Sequence, residues 1–407
     1  MNIRNFKTRL ALMMGLICLS VSSGNSQSPW QDIQKIPYLP LVYEVLFPPS
    51  PVKGEGGIHL VYELHLTSFR RGALSLSSIE VLGDGKNIIK TYQGDKLSTC
   101  LVRPGQPLDM KDKSILEGGT RAVLFIMLSF GNTAEIPDFL THRVTVAYSR
   151  SSGEKVAMQG EGARVSILRK APLMIGPPVR PGVWLAGNGS GDGPVGHRLS
   201  MQAWNGRLVV NQRYALDFMK FNDDRRLVDG DSSSNSHWHS YGEEVIAVAD
   251  GVISGIKEGI IENTPLGKYA VSNSLESAAG NYVTLDIGQG VYAVYAHLKP
   301  KSLRVKTGDK IRKGQVLGLI GNSGISDAPH LHFHMIDSNS VFGGEGIPYV
   351  FEQFELLGSF ENLDDNLDKR WVPKGGRSLS YKEIPLGDVV IKFPQPLSEK
   401  QGACRRK

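Results

Sequence analysis

Ten histidines occur in the chain, and seven of them lie between positions 197 and 334. Three sit in the run Pro329-His330-Leu331-His332-Phe333-His334. Successive side chains of a strand point to opposite faces, so residues 330, 332 and 334 would share one face while Leu331 and Phe333 enter the core. Two histidines so spaced can aim at one metal ion, or one can bind the metal while the other acts on a water. Zinc takes imidazole and carboxylate ligands, and a catalytic zinc keeps three protein ligands and one open position. Water at that position loses a proton near neutral pH and becomes a nucleophile. An H-x-H run also describes a polar strand face turned to solvent, so the pattern needs support from elsewhere. His59, His65 and His142 fall in N-terminal strands with no partner at ligand spacing and read as structural or surface histidines.

Separated segments supply that support. Asp217 comes first, then Tyr241-Gly242 and Val248-Ala249-Asp250-Gly251. Tyr295-Ala296-His297-Leu298 ends a strand, Lys306 to Gly318 reads as a hairpin, and Gly321-Asn322-Ser323-Gly324 leads into Pro329-His330. In this order and spacing, residues 196 to 345 resemble the lysostaphin-type zinc endopeptidases of cell walls. The resemblance implies an antiparallel β-sheet of the duplicated hybrid motif kind, a Zn2+ cofactor, and hydrolysis of peptide bonds in peptidoglycan cross-links. The family's pattern is H-x-x-x-D, then Y-A-H-L, then H-x-H. Carried over, it makes Asp217 and His332 metal ligands. It makes His297 and His330 the catalytic pair that orients and deprotonates the water and stabilises the oxyanion. Attack on an amide needs such a base and a donor where negative charge grows. His334 stands where the family has another polar residue, either behind the ligands or as a surface histidine.

The first ligand of that pattern is missing. Four residues before Asp217 stands Arg213, which has no lone pair to offer a metal. It could instead bind a substrate carboxylate or carbonyl, or pair with a nearby acid. His197 is the candidate replacement, on the expectation that residues 198–203 and 207–218 form two strands joined by Trp204-Asn205-Gly206. A three-residue turn with a bulge at Gly206 sets residue 197 opposite 213, beside the vacancy. A two-residue turn sets it opposite 214, on the wrong face. His237 and His239, in the polar insert 222–240, are rivals.

The elements that must position these residues fall into two halves. A chain of 407 residues with 41% apolar content suffices for two cores. Its 46 glycines and 22 prolines lean towards β structure. Residues 30–168 read as an immunoglobulin-like β-sandwich, from runs such as Ile58 to Leu66, Ala122 to Leu128 and His142 to Val146. Residues 169–195, rich in Pro and Gly, read as a linker or lid. The metallopeptidase domain follows at 196–345, and 346–407 is an extension with a short helical pattern over Val350 to Leu357. The mainly β fold is thus a sandwich followed by a peptidase sheet.

Residues 1–26 have the three parts of a secretory signal: Arg4, Lys7 and Arg9, the apolar run Leu10 to Val21, then small residues. No other stretch reaches spanning length, so the expectation is an exported protein, periplasmic or extracellular, with no stable membrane span after the signal is removed. Cys100 and Cys404 would remain, and could pair. The net charge of +6 comes from scattered residues with no basic run beyond Arg405-Arg406-Lys407, which argues against a nucleic-acid partner. The leading reading is a zinc metalloendopeptidase acting on peptidoglycan or another peptide substrate. The alternative, prompted by Arg213, is a catalytically degenerate domain that binds cell wall or activates another hydrolase. A carrier-type barrel, suggested by Val305 to Gly318, lacks an exposed lysine on a turn flanked by apolar residues.

Overall fold

The computed structural model describes residues 38–360 and 371–395. The expected leader at 1–26 and Cys404 lie outside the described residues. Cys100 is buried with a free thiol.

The N-terminal part builds two five-stranded antiparallel sheets. One is ordered Leu41–Glu44, Gly57–Ser68, Arg121–Phe130, Leu101–Val102, with Val52–Gly54 alongside Gly57–Ser68. The other is ordered Lys155–Ser166, Phe139–Ser149, Leu74–Gly83, Asn87–Gln93, with Ile115–Leu116 on Leu74–Gly83. Alternation explains why they stack. Leu60, Tyr62, Leu64 and Leu66 of one sheet share a core with Leu76, Ile79, Val144 and Val146 of the other. The intervening residues of Gly57–Ser68 are buried as well. Val61 joins the core of the C-terminal part, while Glu63 and His65 lie at most 4% exposed. This strand is thus covered on both faces and joins the two halves.

The C-terminal part is organised on an eleven-stranded sheet. Its order is Leu173–Ile175, Tyr349–Ser359, Val389–Phe393, Gly182–Gly187, Leu216–Lys220, Leu331–Ile336, Tyr292–Leu298, Asn281–Asp286, Gly251–Lys257, Lys310–Ile311, with Val372–Glu383 beside Tyr349–Ser359. All pairs are antiparallel except Leu173–Ile175 with Tyr349–Ser359. Aromatic side chains fill its core: Trp184, Phe218, Tyr295, Phe333, Tyr349, Phe351 and Phe393 are fully buried.

Three expectations are corrected here. The stretch 169–195 is no linker, since Gly182–Gly187 is a central strand whose Trp184, Leu185 and Ala186 are buried. Its prolines and glycines sit outside that strand or at its ends. The C-terminal extension is no appendage, because Tyr349–Ser359 and Val389–Phe393 belong to the same sheet as the histidine strands. Val350 to Leu357 is strand and not helix. It is paired on both sides and buried on both faces at its start, which erases the two-residue period.

Of the two turns open at Trp204-Asn205-Gly206, the structure takes the shorter. Trp204 pairs with Arg207 and Ala203 with Leu208, a two-residue turn. Asn205 and Gly206 both have positive φ, 46° and 77°, as the favoured hairpin turn requires. The strands are shorter than expected, Met201–Trp204 and Arg207–Val210, so His197 lies outside them and alternation does not govern its direction.

His142 tests the sandwich core. It is fully buried; its Nε2 accepts from Tyr62 Oη at 3.0 Å and its Nδ1 donates to the Ala163 carbonyl. Burial pushes its pKa down from 6.5 to about 4. Between these values the unfolded chain binds a proton that the folded chain does not, so stability falls as pH drops through this window. His142→Gln cannot titrate. It should lose about 2 kcal/mol less stability than the parent between pH 7 and pH 5 in denaturant titrations. Equal losses in the two proteins would refute this account.

Candidate metal and catalytic centre

Two neighbouring strands supply the centre. Asp217 on Leu216–Lys220 lies directly opposite His332 on Leu331–Ile336, and His332 lies opposite Ala296 on Tyr292–Leu298. Leu216, Phe218, Leu331, Phe333 and Met335 point into the aromatic core. Asp217, His332 and His334 therefore emerge on the other face, where all are buried. His330, just before its strand, shares that face.

His297 reaches the group by a different route. Strict alternation would put it on the face of Tyr295, inside the core. Its φ of 61° is left-handed, and the pairing of Asn281–Asp286 with Tyr292–Leu298 shifts between Asn281 and Val283. This bulge turns the ring to within 4.9 Å of His330 and 5.8 Å of His332, centroid to centroid. The loop Gly321-Asn322-Ser323-Gly324 fixes it there, because His297 Nδ1 donates to the Ser323 carbonyl at 2.8 Å. Gly280, at φ 62°, lets that segment approach: a Cβ would stand 2.3 Å from Ser323 O.

His197 comes from a one-turn helix, Gly196–Leu199. Its Nε2 lies 3.0 Å from Asp217 Oδ1, and its ring stands edge-on to His332 at 4.5 Å. The structure thus brings His197, Asp217 and His332 together, with one potential ligand atom of each within 4.8 Å of the others. His237 and His239 do not join them. The first bonds to the Asp231 carbonyl and the second lies 3.1 Å from Asp229. Arg213 does not join either. Its guanidinium, 6% exposed, donates to Glu63 at 2.6 Å and to Glu345, which leaves it closed to substrate and corrects the substrate-binding expectation.

Whether this donor set suits a metal follows from its protons. His334 Nε2 lies 3.2 Å from the Val341 carbonyl, which can only accept, so Nε2 carries the proton. His334 Nδ1 then accepts from His332 Nε2 at 3.0 Å. His332 Nδ1 is left bare, 3.1 Å from Asp217 Oδ1. Burial, with His197 next in weight, pushes His332 down to about 4, against a second proton on the ring. His197 Nε2 faces the same oxygen without hydrogen-bond alignment. Nitrogen and oxygen lone pairs thus converge on one place, as a cation would satisfy. Burial pushes the Asp217 carboxyl up, but His197 and His330 outweigh it and hold the pKa well below the usual carboxylate range. Its Oδ2 accepts from Asn188 Nδ2 at 2.8 Å. The residues present fit a divalent transition metal.

The remaining pair, His297 and His330, is held through Nδ1. His330 Nδ1 donates to the Ala328 carbonyl at 2.8 Å, as His297 Nδ1 does to Ser323. Each ring, when neutral, keeps Nε2 as its bare nitrogen. Burial, more than the neighbouring His330 and His332, holds the His297 pKa well below the ordinary histidine value.

Sequence reasoning did not foresee Asn188, or the relay from Val341 through His334. Asn188 lay in the supposed linker and carried no signal. The burial of His334 follows from packing around residue 341, which no local pattern reveals.

The model of peptidase family M23 matches residues 238–342, which include His297, His330 and His332 but not His197 or Asp217. The chain is 43% identical over 58 residues to the peptidoglycan DD-endopeptidase ShyA of Vibrio cholerae, covering 14% of this chain and 13% of that protein. It is 30% identical over 167 residues to the glycyl-glycine endopeptidase ALE-1 of Staphylococcus capitis, covering 39% and 46%. Both relatives are therefore spanned over less than half their length. Among solved structures, the catalytic domain of lysostaphin from Staphylococcus simulans aligns at 24% identity, covering 36% of this chain and 80% of that one, with a TM-score of 0.21. The chain carries a peptidase family M23 domain, of the lysostaphin type, at residues 238–342.

Proposed function

We propose that the protein is an exported zinc metalloendopeptidase that hydrolyses peptide cross-links of peptidoglycan. The observation that carries this reading is the convergence of His197 on Asp217 and His332, which supplies a third ligand where Arg213 cannot. His197 Nε2, Asp217 Oδ1 and His332 Nδ1 would hold the ion. Zinc there would polarise the scissile carbonyl and make water acidic enough to attack near neutral pH.

The chain's own groups do the rest. His297 and His330 present bare Nε2 atoms, and one of them takes the proton of the attacking water. The same ring, once charged, stabilises the negative oxygen of the tetrahedral species and returns its proton to the leaving amine. The Ser323 and Ala328 carbonyls hold both rings in the tautomer that keeps Nε2 open. The likeness to wall endopeptidases supports peptidoglycan as the substrate class. Among the described residues no helix is long and apolar enough to cross a membrane.

The mature wild-type chain should carry about one zinc ion and digest purified cell wall, while His332→Ala should lose both. A wild type that is metal-free and inactive would sink the enzyme reading and favour a wall-binding domain. His297→Ala should keep its zinc yet lose about 10²- to 10⁴-fold in kcat. Loss of zinc in that variant would instead make His297 a ligand. His334→Leu breaks the relay behind His332 and should weaken zinc binding about 10- to 100-fold in chelator competition. Unchanged affinity would show that the His332 tautomer does not depend on His334.

A further inference from the structure

His197 sits on a short turn whose own bonds hold its backbone, its carbonyl accepting from Ser200 N at 3.1 Å and Ser200 Oγ at 2.7 Å, but none of them holds its ring. The helix Gly196–Leu199 is a single turn, and Val195 at its start offers no side-chain cap. His197 N reaches the Asn188 carbonyl only at 3.3 Å. The next residue is the anchor. Arg198 is wholly buried, and its guanidinium runs into the N-terminal sandwich. There it donates to Glu63 Oε1 at 2.9 Å, to the Tyr62 carbonyl at 3.0 Å and to the Ile126 carbonyl at 3.3 Å. Its Nη1 donates to the Gly191 and Gly193 carbonyls. Leu199 and Met201 pack on Val123 and Phe125 of the same sandwich sheet.

Adjacent Cα atoms are about 3.8 Å apart, and side chains of a three-residue turn diverge by about a third of a circle. Fixing Arg198 in the sandwich therefore fixes the direction in which His197 leaves the turn. The same carboxylate also takes Arg213, through Nε at 3.1 Å and Nη2 at 2.6 Å. Arg213 occupies the position where the lysostaphin-type pattern has its first ligand. One acid of the sandwich thus holds both Arg213, at the position of the pattern's first ligand, and Arg198, the neighbour of His197.

We infer that the N-terminal sandwich is a working part of the metal centre: Glu63, through Arg198, positions His197 for the ion. This deepens the metallopeptidase reading and rests on it. Glu63 and Arg198 are positioning residues, since neither touches the ion or the reacting atoms. The sandwich is then not a removable cover or a separate docking module.

The test is zinc affinity of the full mature chain, by chelator competition, for wild type, Glu63→Gln, Arg198→Lys, Asp217→Ala and Tyr62→Phe. Tyr62→Phe removes the hydrogen bond to His142 in the sandwich core and leaves the Tyr62 carbonyl in place, so it loosens the sandwich without touching the clamp. Glu63→Gln and Arg198→Lys should each weaken zinc about 10- to 100-fold, with Tyr62→Phe near wild type. Cobalt-loaded Glu63→Gln should likewise lose the visible absorption of a four-coordinate site. Arg198→Lys carries the test alone should Glu63→Gln fail to fold. If both clamp variants bind as wild type while Asp217→Ala does not bind, the clamp is refuted and the metal site stands. If Tyr62→Phe weakens binding as much as they do, the effect is general loosening and the clamp is likewise refuted. A wild type that takes up no zinc overturns the metal site, and the clamp with it.

Discussion

Glu63 has almost no contact with water and sits where two halves of the chain meet. Burial alone would push its pKa up, but Arg213 and Arg198 hold it down at about 2. Glu345 completes the group on the far side of Arg213. Two cations and two anions balance in a place that solvent does not reach, and each one alone would be costly there. The arrangement adds little net stability over an apolar contact of the same shape, but it is demanding about geometry. Arg198 and Arg213 must come from their own turns at a set distance from one strand of the sandwich. The entry and exit of the hairpin 201–210 are thereby set, and with them the route by which His197 meets Asp217.

Around that clamp the large sheet does what antiparallel sheets do well. Direct opposition of Asp217 and His332 costs the backbone nothing, since both are ordinary paired positions. Their neighbours on each strand, Leu216, Phe218, Leu331 and Phe333, lock the register by filling the aromatic core; a slip of one residue would bury the carboxylate among them. His297 departs from regular geometry. Its left-handed backbone is the kind of local strain a bulge can hold when the next loop grips the ring.

The share of this that was legible in the sequence follows the range of the interactions. Alternation in His330 to His334 is local, and it correctly sent Leu331 and Phe333 inwards. Period-two runs likewise marked the strands of the sandwich. What was misread depended on partners far away. Val350 to Leu357 hid its strand period because its first residues are buried on both faces, while alternation resumes only from Phe354. The 169–195 stretch looked like a linker because its prolines and glycines concealed the six residues of a central strand. The hairpin took the two-residue turn that Asn-Gly favours. His197 still met Asp217, because a helical turn, not strand register, directs it. Arg213 reads from sequence as a substrate contact or as the partner of a nearby acid; the acid it meets, Glu63, lies 150 residues away, beyond any local pattern.

The shared carboxylate also constrains how such a chain can change over generations. Arg213→His would place a histidine four residues before Asp217 and simultaneously strip Glu63 and Glu345 of a buried counter-charge. Neither step is easily taken first: the histidine leaves two acids stranded, and loss of an acid leaves an arginine stranded. The charges on the two sides are therefore coupled, since none can change first without leaving another buried and unpaired. The two halves are thereby tied through buried charge, and a substitution on either side of the clamp is felt on the other.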